Sequence, residues 1–80
     1  MPTIKGIEGP YRFHFYSFDC NEPRHVHAER ENASCKFWLA PLVLASNDGF
    51  SARDLGRIRA VIQQHRDLII EAWNEHCASA

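Results

Sequence analysis

Leu55, Ile58, Ile62, His65, Ile69, Ala72, Trp73 and His76 follow one another at spacings of three and four, flanked by Val61 and Leu68. That is the period of one face of an α-helix. Ser51 with Asp54 three residues on resembles a capping box, with aspartate in the place of the usual Glu or Gln. Phe50, just before Ser51, stands where a hydrophobic staple onto Leu55 belongs. No proline interrupts residues 51–77. The spacing therefore predicts one long C-terminal helix over about 51–77, roughly 40 Å long at ~1.5 Å per residue.

That helix limits what the rest can be. The chain has 80 residues, read as a single domain spanning 1–80, and so small a domain is marginally stable alone. A strand of five or six residues spans only about 20 Å. One small sheet therefore cannot cover the whole stripe. Either the helix bends, or its C-terminal half meets a second subunit or a partner through Ile69 and Trp73, with Ile70 on the flank. The partner is the expectation here.

The residues before the helix have a different period. Tyr11 to Ser17 alternates and is rich in β-formers, which predicts a strand. Pro23 to Glu29 alternates again, Glu31-Asn32 makes a turn, and Ala33 to Leu39 returns as the partner strand before Pro41 breaks it. Thr3–Ile7 reads as a short edge strand and Leu42–Ala45 as a last one, with Asn47-Asp48-Gly49 as a turn. The fold expected is α+β: a small, mostly antiparallel sheet of four to five short strands over about residues 3–45, packed on the one long C-terminal helix.

Alternation divides the sheet into two faces. Phe13, Phe15, Val26, Ala28, Cys35, Phe37 and Leu39 face the helix. Arg12, His14, Tyr16, His25, His27, Glu29, Lys36 and Trp38 face outward, with Arg24 beside them. At the centre is His25-Val26-His27, two imidazoles on one side of a strand.

Three readings of this face compete. His25 and His27 can reach one metal ion, with His14 or Glu29 as a third ligand if the strands are adjacent. Tyr16 and Trp38 can stack on RNA bases while Arg12, Arg24 and Lys36 contact phosphates. Asp19, Glu22, Glu29 and Glu31 oppose that reading, and the net charge of −1 argues against a strongly basic nucleic-acid binder. The third reading is a protein interface, because exposed Trp, Tyr and Arg are enriched at binding hot spots. It is the one preferred, and no cofactor is assigned.

The three cysteines, Cys20, Cys35 and Cys77, are odd in number and widely spaced, which does not suggest a disulfide framework. Nothing near Met1 resembles a signal peptide, and no apolar run approaches a membrane span. A reducing, cytoplasmic setting is expected. Cys35 reads as a small core residue, and His65 as a packed histidine. His76, in the last helical turn, favours the helix dipole.

The pattern resembles a bacterial family, domain of unknown function 4160. The matching segments are Met1-Pro2-Thr3-Ile4, Arg12 to Ser17, Pro23 to Glu29, Lys36-Phe37-Trp38-Leu39, Gly49 to Leu55 and Glu71 to Glu75. Members often carry Asp-His-x-Pro-Pro before His-Val-His. Here Cys20 replaces that first histidine and Arg24 a proline. Members are often encoded beside another small family, domain of unknown function 2442, in what resembles a two-gene toxin–antitoxin module. The resemblance implies a small cognate protein partner and supplies no established reaction. The expectation is a toxin–antitoxin-like component that binds a partner and can also self-associate. The alternative is an RNA-binding or hydrolytic effector using His25 and His27, with or without a metal.

Overall fold

The computed structural model describes residues 3–78, so Met1 and Pro2 of the opening motif lie outside the described residues, as do the last two. Four strands form an antiparallel meander in the order β1-β2-β3-β4: β1 (Arg12–His14), β2 (His25–Arg30), β3 (Ala33–Leu39) and β4 (Leu42–Asp48). Two helices follow, α1 (Ala52–Gln64) and α2 (Arg66–Ala78). The fold is α+β, as the change of period predicts.

β3 follows its predicted boundaries, while β2 starts two residues later and ends one residue later than Pro23–Glu29; both are bounded by turn chemistry. Arg30 pairs with Ala33 across Glu31-Asn32, and Glu31 takes the positive φ of 55° that so short a hairpin needs. Leu39 pairs with Leu42 across Ala40-Pro41, whose peptide bond is cis. β4 runs to Asp48, beyond the expected Ala45, because a bulge opposite Lys36 and Phe37 absorbs one residue and lets pairing continue.

β1 is shorter than expected. It ends at His14, after which the chain folds back: Asp19 N–H donates to the Tyr16 carbonyl at 3.1 Å and a 3-10 turn spans Asp19–Asn21. The edge strand expected at Thr3–Ile7 is reduced to one bridge between Thr3 and His14, beside a hydrogen bond from Ile4 N–H to the Phe13 carbonyl at 2.8 Å.

The single long helix is a second correction. Ser51 caps α1 as expected, its hydroxyl accepting from Asp54 N–H at 3.1 Å. At His65, φ −111° and ψ 23°, α1 ends, and α2 begins at the next residue. The molecule measures 34 × 24 × 22 Å, shorter than the straight helix would be. Arg66, the first residue of α2, donates to the Leu39 carbonyl, 2.5 Å away at the end of β3.

The bend sends Ile69 and Trp73 into the chain's own core, at 0% and 5% exposure, beside Ile58 and Ile62 of α1. Burying an apolar side chain of this size contributes about 1.5–3 kcal/mol. The surplus apolar surface expected at Ile69 and Trp73 is therefore consumed within the chain, and Ile70 is half-buried against the same cluster. The strand residues expected to face the helix, from Phe13 to Leu39, are all buried.

Candidate functional site

Alternation along β2 puts His25, His27 and Glu29 on the face away from Val26 and Ala28, and the register supplies their neighbours. His27 lies opposite both His14 of β1 and Lys36 of β3; His25 lies opposite Trp38; Glu29 lies opposite Arg12. The outer face predicted from sequence is thus assembled.

It is not the open surface expected. The segment after β1 folds across it, and the Tyr16 ring lies 4.6 Å from His27 and 5.1 Å from His14. From the other side, Trp73 of α2 comes within 5.1 Å of the His25 ring. His14 and His25 are consequently 1% and 0% exposed. The reason is the early end of β1, which frees residues 15–24 to double back.

Asp19 joins the two histidines, a role its place in an acidic loop does not reveal. In the sequence it counts only as an acidic group opposing RNA, yet the 3-10 turn buries it over the histidines. Its Oδ2 accepts from the Tyr16 backbone N–H at 2.8 Å and lies 3.0 Å from His27 Nε2 and 3.2 Å from His25 Nε2. Its signal in the sequence is a carboxylate in the loop directly before a His-x-His strand. Neither expected third ligand joins this group: His14 stacks on His27 at 5.5 Å, and Glu29 is taken by an ion pair with Arg12.

The electrostatics follow from burial. Desolvation works to raise the Asp19 pKa, but the Tyr16 N–H and the two imidazoles outweigh it and hold the carboxyl below its usual value. Burial, then the neighbouring His27 and Arg12, push His14 down to about 4, so its ring is neutral at pH 7. Burial also lowers His27, against the pull of Asp19.

Cys20 and Cys77, whose number and spacing do not suggest a disulfide framework, form a disulfide across 57 residues. Sequence spacing could not show it, because the bend at His65 is what returns the end of α2 to the turn at Asp19–Asn21. The premise of free cysteines behind the reducing setting falls with it. Among the described residues no helix is long and apolar enough to cross a membrane. Cys35 is a buried free thiol whose pKa burial raises to about 11, which suits a core residue and not a nucleophile.

The remaining predicted site residues are already paired. Lys36 donates to Glu22 at 2.5 Å and lies 4.3 Å over the Trp38 ring. Arg24 reaches Asn74 at 3.4 Å. His76, placed by sequence at the helix end, has its Nε2 2.9 Å from the Tyr16 carbonyl. A cleft of about 470 Å³ lies between Ile4, Phe15, Leu68 and Ala72 and contains none of Asp19, His25 or His27.

A family model described as domain of unknown function (DUF4160) matches residues 11–74, from the start of β1 into α2. No curated protein and no solved structure matches the chain.

Proposed function

We propose, from the premise that the chain belongs to the DUF4160 family, that it is a protein-binding component of a two-gene module of the toxin–antitoxin kind. The observation that carries this reading is Phe18, a large apolar side chain left 67% exposed. It is not a loose end. Its ring stacks on Tyr16 at 6.1 Å, nearly parallel at 9°. From there ring contacts continue through His27 and His25 to Trp38. An apolar anchor preheld in its pose and rimmed by polar groups is the anatomy of an interface hot spot.

The alternative, an RNA-binding or hydrolytic effector on the same face, is less well supported. Its cations are engaged within the chain: Arg12 with Glu29, Lys36 with Glu22, and Arg24 with Asn74. RNA must displace those partners before phosphate is neutralised.

The test is co-expression with the product of the adjacent reading frame, followed by sedimentation of the purified pair. A defined complex is expected, and Phe18→Asp weakens it by about tenfold or more. No complex, or one indifferent to Phe18→Asp, overturns the reading.

A further inference from the structure

We infer that Asp19, His25 and His27 form a binding site for one divalent transition-metal ion of the zinc class, independently of the partner reading. One ligand atom from each residue falls within 4.8 Å of the others. Asp19 Oδ2 is 3.2 Å from His25 Nε2 and 3.0 Å from His27 Nε2. Two atoms bound to a tetrahedral ion at ~2.0–2.1 Å stand about 3.3 Å apart. The carboxylate-to-imidazole spacings, which also suit hydrogen bonds, are short enough for one ion to take the place of the bridging protons.

The hydrogen bonds point the same way. His25 Nδ1 lies 2.8 Å from the Pro23 carbonyl, which can only accept, so that nitrogen carries the proton. In the neutral ring Nε2 then turns a buried lone pair toward Asp19 Oδ2, 3.2 Å away, a contact made favourable only by a proton on Nε2 or a cation between the two atoms. That oxygen also has the Tyr16 N–H and His27 Nε2 within hydrogen-bonding distance, so three nitrogens converge on one carboxylate oxygen. One cation between Asp19 Oδ2 and the two imidazole nitrogens satisfies all three. A backbone carbonyl on the far nitrogen is also how metal-bound histidines are usually oriented.

Two imidazoles and one carboxylate form a donor set suited to zinc, and three protein ligands leave a fourth position for water or a substrate atom. The side chain of His27, 16% exposed, marks the side on which that position meets solvent; those of His25 and Asp19 are sealed at 0% and 4%.

The inference is tested by titrating Zn²⁺ into the full-length, non-reduced, chelator-treated protein by calorimetry. Co²⁺ serves as the spectroscopic probe of geometry. One ion per chain and a tetrahedral cobalt spectrum are expected. His27→Gln, the mildest change because that residue is partly exposed, lowers affinity by about 100-fold or more, and Asp19→Asn lowers it comparably. Arg53→Gln, at an exposed position in the first turn of α1, leaves it unchanged. Circular dichroism confirms that each variant is folded. Should His27→Gln unfold the chain, a cobalt spectrum from the native protein without tetrahedral bands overturns the site. Absence of stoichiometric binding by the native chain, or full affinity in folded His27→Gln and Asp19→Asn, does the same.

Discussion

Cys20 and Cys77 are joined by a disulfide, so the turn that carries Asp19 is tied to the last turn of α2. The bond closes a loop over most of the chain and holds a buried carboxylate against two histidines. The same region is covered by Tyr16, Trp73 and His76, contributed from opposite ends of the sequence. The fold and the site are therefore coupled through one corner of the molecule.

Thiol chemistry reads that corner directly. Titration of the native, non-reduced protein with a thiol reagent gives no reactive thiol, because Cys35 is buried and the other two are paired. Denaturation without reductant exposes one thiol, and denaturation with prior reduction exposes three. Three thiols in the denatured, non-reduced chain contradict the pairing.

Removing the crosslink destabilises the fold. Cys77→Ser leaves the turn sequence intact and frees a loop with 57 residues of separation. The expected loss is about 2–4 kcal/mol, measured by urea denaturation. The same variant binds zinc more weakly than the native chain, since Asp19 adjoins the released Cys20.

The bend at His65 makes a prediction that a straight helix does not. Trp73 is 5% exposed and packs edge-on to Phe15 at 5.3 Å. Trp73→Ala therefore costs about 3–5 kcal/mol in the monomer. Phe18→Ala, at an exposed position, changes stability by no more than about 0.5 kcal/mol. Equal and small effects in the two variants contradict the burial of α2.

Acid destabilises the metal-free protein through His14. Its pKa is lowered from 6.5 to about 4 in the folded state, by burial first and then by His27 and Arg12. The unfolded chain thus takes up a proton before the folded one. This contribution to stability is fully present above about pH 6.5 and is lost as pH falls toward 4, by about 3 kcal/mol in all. His14→Phe flattens that part of the denaturation profile; an unchanged slope contradicts the assignment.

The parts legible in the sequence are those set by local chemistry. Alternation fixes which residues of β2 and β3 face the core, and Ser51 with Asp54 marks the start of α1. The break at His65 has no such mark: no proline stands there, and the contact beside it, Arg66 on the Leu39 carbonyl, joins residues 27 positions apart. Everything that depends on the break was hidden with it. Ile69 and Trp73 read as surplus surface when the helix is drawn straight, and Cys77 has no route to Cys20. Asp19 was illegible for a related reason, since its partners are set by a loop doubling back over the sheet.

Asp19, His25 and His27 are proposed to act together on one ion. Anomalous diffraction at the zinc absorption edge, from crystals grown with equimolar Zn²⁺, tests it most directly. A single strong peak bounded by Asp19 Oδ2, His25 Nε2 and His27 Nε2 is expected. A peak elsewhere, or none between these atoms, contradicts it.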